Sequence, residues 1–238
     1  LLESRGFSRE DTARIVEQVR LALEKGLPLA PMIDKIHEGI AKHVEAPRII
    51  RAVEQVADRY AFAWDRAGDL TAEPQEGARA ATLLAEAMAA GLSREDAEGI
   101  AVKLRQRTHG QTAEPDDRLV PETMETARDM ARYGVTSETV GRVIADALDH
   151  AYTGEDMAAM RQSFAELTRY GIPESTARGF ARDIGAGKGV SSLGASGRGR
   201  GGPAGSGGGD VGAGGGSAGS SGSGGSSGGG GGGSGAGG

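Results

Sequence analysis

Along residues 8–184, apolar positions recur at steps of three and four, which is the spacing of helices with one buried face. No window alternates apolar and polar residues with β-branched enrichment, so no strand is expected. The first helix is placed over residues 8–25, with Ile15, Val16, Val19, Ala22 and Leu23 facing inward and Gly26 closing it. Pro28 and Pro31 shape a connector to a second helix, which carries Leu29, Ile33, Ile36, Ile40 and Val44 inward. Its outer side holds Lys35, Glu38, Lys42 and Glu45. Ala46-Pro47 stops that helix and opens a third, with Ile49, Val53, Val56, Tyr60 and Trp64 inward. Residues 67–76 read as a linker and a possible sub-boundary. Further helices are expected over 77–90, 93–108, 121–133, 137–151, 153–170 and 173–184, with a polar loop at 109–119. The expected architecture is all-α: an irregular array of about nine helices in αα-hairpins, with a disordered C-terminal tail.

One joint recurs between these helices. It reads Gly6-Phe7-Ser8, Gly91-Leu92-Ser93, Tyr133-Gly134-Val135-Thr136 and Tyr170-Gly171-Ile172-Pro173. The glycine suits the left-handed residue that follows a helix. Phe7, Leu92, Val135 and Ile172 are expected to tuck against the helix just ended. Ser8, Ser93 and Thr136 are placed to cap the next helix, and Pro173 suits a first helical position. Asp11, Asp96 and Asp156 stand three residues after Ser8, Ser93 and Thr153, in a variant of the capping box. Ile15, Ile100, Val143 and Phe180 each follow a joint glycine by nine positions. The glycines are 85, 43 and 37 residues apart, so the hairpins are degenerate copies without a fixed period.

Composition changes sharply at the end of the body. Residues 188–238 hold 27 of the 42 glycines and cannot bury enough apolar surface to offset their ordering entropy. Residues 1–187 are therefore expected to form one helical-hairpin domain and 188–238 a flexible Gly/Ser-rich tether. The chain carries −6 overall; three cations and one acid in the tail leave −8 on the body. That balance disfavours broad contact with a phosphate backbone. Cysteine is absent, which removes disulfide and thiolate chemistry. No apolar run approaches the roughly 20 residues of a membrane span. The chain opens on Leu1-Leu2-Glu3 and reads as a fragment or a mature form.

Candidate chemistry is sparse. The histidines His37, His43, His109 and His150 form no His-x-x-x-His pair. His37 borders the apolar stripe of the second helix and is expected to pack there with one hydrogen bond. His150 lies near Asp146 and Asp149 without calcium-loop spacing. Asp116-Asp117 and Glu155-Asp156 are adjacent acids in loops or first turns and read as caps. Gly185-Ala186-Gly187-Lys188-Gly189 follows a helix instead of a strand, which argues against a phosphate loop. Phe62 points away from the inner stripe of its helix, toward another helix or a partner. No catalytic, cofactor or metal residues are assigned.

A helix-turn-helix is the sharpest alternative. Ala87, Gly91, Leu92, Ala97 and Ile100 satisfy its spacing, so residues 87–104 and 127–148 are candidates for nucleic-acid contact. Met130 and Leu167, four before the next two glycines, are bulky for that motif. The would-be reading helices also begin with acids, as in Arg94-Glu95-Asp96 and Arg9-Glu10-Asp11. Carboxylates there complement the helix dipole but would repel phosphates.

Gly26-Leu27-Pro28, Ile33-Asp34-Lys35-Ile36, Glu38-Gly39-Ile40-Ala41-Lys42 and Pro47-Arg48-Ile49 resemble a segment of uncharacterised bacterial proteins, mostly predicted to be exported. Those proteins join it to helical hairpins and often to a glycine-rich end. The resemblance implies an extracytoplasmic, all-helical protein without an assigned activity. His43 stands where many members have glycine, so a different turn is expected there. Together these features predict a non-enzymatic interaction or structural module of the bacterial envelope, with protein partners and no cofactor.

Overall fold

The computed structural model describes residues 7–68, 70–109 and 116–193. Among them are nine α-helices and no strand: α1 (Arg9–Glu24), α2 (Ala30–Ala41), α3 (Ala46–Ala67), α4 (Pro74–Ala89), α5 (Arg94–His109), α6 (Leu119–Arg132), α7 (Ser137–Asp149), α8 (Gly154–Thr168) and α9 (Pro173–Gly185). A 3-10 turn follows at Val190–Ser192. Gly6 and the tail beyond residue 193 lie outside the described residues.

Helices pack mainly on the neighbour two places away. α4, α6 and α8 form one layer, and α5, α7 and α9 form the other. The hairpins α4–α5, α6–α7 and α8–α9 thus stack side by side. α3 joins the first layer through α4, and α1 and α2 pack on α3. The core runs between the layers through Leu84, Ile100, Leu104, Met124, Met130, Ile144, Phe164 and Phe180, all at most 1% exposed. Phe180 meets Phe164 edge-on, with centroids 6.2 Å apart.

Ions fasten the first layer from outside. Arg161 on α8 reaches Glu122, Glu125 and Asp129 on α6, at 2.5, 3.1 and 3.7 Å. Glu125 also takes Arg79 of α4 at 2.8 Å, and Glu86 of α4 takes Arg132 of α6 at 2.9 Å. Periodicity does not show this network, because its members lie on separate helices.

The inward faces differ from expectation at the start of the chain. α1 buries only Ile15 and Ala22, and leaves Val16 58% and Leu23 63% exposed. It packs mainly on α3, whereas α6 touches α4, α7 and α8 and buries eight residues. Full burial of a large apolar side chain is worth roughly 1.5–3 kcal/mol, so α1 draws far less from packing than α6. α2 is rotated so that Met32, Ile36 and Gly39 are inside while Ile33 is exposed, and Val44, expected on the same stripe, lies exposed in the turn after the helix. Gly39 explains the rotation: a Cβ there would lie 2.5 Å from the Ile49 side chain, so α2 and α3 meet at that glycine.

Two expected boundaries fall within packed chain. Leu70, in the expected linker, is 1% exposed, and a Cβ on Gly77 would lie 2.2 Å from the Gly68 carbonyl oxygen. Residues past 187 also pack. The Tyr152 hydroxyl donates to the Lys188 carbonyl at 2.7 Å, and Leu193 is 7% exposed.

Candidate functional site

The three joints at Gly91, Gly134 and Gly171 turn the stacked hairpins, and polar groups link each of them to the next. At the first, the Ser93 hydroxyl accepts from the Asp96 N–H at 3.1 Å. The Ser93 N–H, which Asp96 would bind in a closed capping box, donates instead to Ser137 Oγ on the next hairpin at 2.7 Å. Ser137 in turn donates to the Asp96 carboxylate. Ser8–Asp11 and Thr153–Asp156 form complete capping boxes within their own helices.

The second joint is capped from outside its own helix. The Thr136 side chain does not accept from α7 amides, contrary to the sequence expectation. The Glu174 carboxylate on α9 accepts from the Thr136 N–H at 2.8 Å and from the Thr139 hydroxyl at 2.7 Å. Arg178 Nε also donates to it at 2.8 Å. Partial burial raises the Glu174 carboxyl, but the bonds from the Thr136 N–H, Thr139, Arg178 and the Thr136 hydroxyl outweigh it and hold it at about 2. The acid also sits where the α7 dipole favours negative charge. Sequence reasoning missed Glu174 because its partners stand 35 and 38 positions earlier.

The third joint is open. Gly91 and Gly134 take φ of +124° and +81°, and the Leu92 and Val135 amides close the preceding helices at 3.0 and 3.1 Å. Gly171 takes no positive φ. α8 stops at Thr168, and the Arg169 and Tyr170 amides bond three residues back at 3.3 Å. Leu92 and Val135 are 3% and 5% exposed, whereas Ile172 is 72% exposed, so its expected tuck does not occur. Tyr170 is 94% exposed; its counterpart Tyr133 is 50% exposed and meets Phe164 of α8 edge-on, with centroids 5.7 Å apart.

His43 keeps the turn that glycine would make. It adopts φ +53°, and the Val44 N–H bonds to the Gly39 carbonyl at 2.9 Å, as in the glycine joints. The different turn expected at His43 is therefore not found. Ala151 does the same at φ +59°.

Two depressions lie on the surface. One, of about 600 Å³, is lined by Leu27, Asp58, Phe62, Trp64, Asp65 and Arg94 among others. Phe62 lies between the Arg66 and Arg94 guanidinium groups, whose carbons stand 5.4 and 5.1 Å from the ring centroid. The other, about 560 Å³ between α7 and α9, is lined by Glu138, Thr139, Arg142, Arg178, Ala181 and Arg182. Glu138 pairs with Arg142 at 3.1 Å and Glu174 with Arg178 at 2.8 Å, so two of its three guanidiniums are already engaged.

The other sequence candidates have local duties. His37 is exposed instead of packed. His150 Nδ1 lies 2.8 Å from the Asp146 carbonyl oxygen, and Asp149 binds Lys103. Asp116 accepts from the Arg118 and Gly154 amides at 3.1 and 2.7 Å, which ties α8 to the loop before α6. Lys188 binds Asp183 at 2.7 Å beside the Gly187 turn. Among the described residues, no three His, Asp or Glu side chains are grouped as a metal site. No described helix is long and apolar enough to cross a membrane.

The helix-turn-helix positions Ala87, Leu92, Ala97 and Ile100 are all buried. α7 is flanked by α5 and α9 and exposes Glu138, Arg142 and Asp149, an acidic balance on the face that would meet phosphates. No protein-family model matches the chain, and no curated protein or solved structure is significantly similar to it.

Proposed function

We infer that this chain is a non-enzymatic helical scaffold that makes protein contacts through the open joint of its last hairpin. The contrast between two nearly identical joints carries this reading. Tyr133-Gly134-Val135 is closed, with Val135 buried and Tyr133 half-exposed against Phe164, whereas Tyr170-Gly171-Ile172 is open and presents an aromatic and an aliphatic side chain to solvent. Large exposed apolar side chains beside an ordered backbone suit a protein partner, since aromatic residues are enriched where proteins meet. The bacterial, extracytoplasmic setting belongs to the same reading and draws on the resemblance noted above. The Gly/Ser-rich residues 194–238 act in it as a tether, drawing on their composition.

A photo-crosslinking residue at position 170 of the full chain tests the scaffold. A discrete crosslinked protein, lost on Ile172→Asp, is expected in the native cell. The absence of any discrete adduct overturns the reading. A second reading, nucleic-acid contact through 87–104 or 127–148, draws on the three arginines of the α7–α9 groove. A salt-dependent shift of labelled duplex DNA, abolished by Arg142→Ala with Arg182→Ala, would favour it.

A further inference from the structure

We propose that the groove between α7 and α9 binds a phosphate group, free or carried on a small polar molecule, through Arg142, Arg178 and Arg182. The site is independent of the scaffold reading, since it uses neither Tyr170 nor Ile172.

The register of two helices brings the three arginines together. α7 and α9 run side by side in the same direction: Thr139 meets Glu174 near their starts, and a Cβ on Gly185 would lie 4.0 Å from the Asp146 carboxylate near their ends. Arg142 on α7 therefore faces the stretch between Arg178 and Arg182 on α9, and all three line one groove of about 560 Å³. Arg178 and Arg182 are four residues apart and share a helical face. Ala181 beside them is small and nearly buried, which leaves the space above it to the guanidiniums.

The nearby carboxylates do not use up this charge. Glu174 already accepts from the Thr136 N–H, the Thr136 and Thr139 hydroxyls and Arg178 Nε, which fills its acceptor sites from within the fold. Arg178 spends only Nε there, so both of its terminal amino groups remain for a ligand. Arg142 gives one amino group to Glu138 at 3.1 Å, and the Glu138 side chain is 83% exposed, so water screens that pair. Arg182 is exposed and pairs with no carboxylate among the described residues. Asp146, one turn past Arg142, does not line the groove. Three guanidiniums against two carboxylates make this a positive groove on an acidic body.

Guanidinium forks match phosphate oxygens in pairs. A dianion with three terminal oxygens can meet a fork from each arginine, whereas a monocarboxylate offers two oxygens and one charge. The groove has the size of a small-molecule site, about 300–1,000 Å³. Its lining holds no aromatic ring on which a nucleobase could stack, so any carrier of the phosphate is compact and polar. A duplex would also set its phosphates against the exposed Glu138 and Asp149, whereas a small phosphate meets the groove alone.

Isothermal titration calorimetry of the full chain at low ionic strength tests the site. The probes are inorganic phosphate and glycerol 3-phosphate, with glycerol as the neutral control. Arg142→Gln and Arg182→Gln alter the groove, and Arg48→Gln alters an exposed arginine of α3 outside it. Circular dichroism checks that each variant is folded. One phosphate per chain is expected, bound about tenfold more weakly by either groove variant and unchanged by Arg48→Gln. Tighter binding of glycerol 3-phosphate than of inorganic phosphate assigns a carried phosphate, and equal affinities assign the free ion; both support the site. The absence of saturable binding of either probe below about 10 mM overturns the proposal. So does an Arg182→Gln chain that binds like wild type, or an Arg48→Gln chain that is weakened as much. If labelled duplex DNA binds through Arg142 and Arg182 while neither small phosphate does, the groove belongs to nucleic-acid contact and the proposal falls.

Discussion

Thr136 and Glu174 stand 38 residues apart, yet the backbone N–H of one donates to the carboxylate of the other at 2.8 Å. The bond fixes α9 against the start of α7 and replaces a cap that the Thr136 side chain does not provide. A hydrogen bond to a charged group is worth about 1.5–3 kcal/mol. Glu174→Ala should lower stability by about that amount, read from the urea midpoint at neutral pH. A midpoint within experimental error of wild type would show that the bond does not support the stack.

The same carboxylate imposes a pH dependence. Its folded value, about 2, lies below the ordinary carboxylate value, so it contributes stability that is present above the unfolded value and is lost as pH falls through the folded one. The window runs from about 4.5 down to about 2. Glu38 is held at about 2 as well, by Lys35 and Lys42, but it is exposed and adds less. Glu174→Gln should therefore lose less stability than wild type between pH 5 and 2. Equal acid slopes for the two proteins would refute the assignment.

His43 and Ala151 occupy the left-handed region without being glycine. That conformation costs an L-residue roughly 1–2 kcal/mol. Ala151→Gly and His43→Gly are each expected to raise stability by about 1 kcal/mol and the Tm by a few degrees. Gly134→Ala, at φ +81° in open space, should lower it by a similar amount. The prediction fails if Ala151→Gly destabilises.

Gly154 and Gly99 should respond to alanine in opposite directions. A Cβ on Gly154 would lie 2.6 Å from the Arg118 carbonyl carbon and 2.8 Å from the Leu119 nitrogen, both backbone atoms that cannot swing aside. Gly154→Ala is expected to cost about 1–3 kcal/mol by forcing α8 from α6. Gly99 lies within α5 with nothing inside 4 Å, so Gly99→Ala should gain about 0.5–1 kcal/mol from helix propensity. Thermal melts of the two variants that shift in the same direction would contradict this account.

Arg161 faces Glu122, Glu125 and Asp129. Arg161→Leu leaves those carboxylates to Arg118, Arg79 and Arg128 alone. About 1 kcal/mol of stability should be lost, because the charges are partly exposed and each keeps a cation. Added salt should restore part of it, whereas it leaves a packing defect unchanged. A loss indifferent to salt would assign Arg161 to packing alone.

The helices and their joints were legible because periodicity, glycine and Ser/Thr caps are local signals. Ile49, Val53, Val56 and Tyr60 of α3 are buried as its stripe predicts, whereas Trp64 is only half-buried and Ile50, Ala63 and Ala67 are buried beside them. α1 and α2 were misread because a stripe shows which face is apolar, not how much of it a neighbour covers. The α1 stripe is wider than the contact α3 provides. The α2 face turned toward Gly39, because close approach to Ile49 outweighed burying Ile33. Glu174 and Arg161 were invisible for another reason: their partners depend on the order of stacking, which no short window contains. The Tyr170 joint looks like the Tyr133 joint in sequence, and the positive φ of Gly134 with the buried Val135 is what separates them.

Helices in this body pack substantially only on those one or two places away along the chain. Such an array has low contact order, and each added hairpin meets a template already in place. Loss of order should therefore begin at the two extremities and advance inward one hairpin at a time. The α4–α5 and α6–α7 pairs, each flanked on both sides, would be the last to exchange their amide protons with solvent.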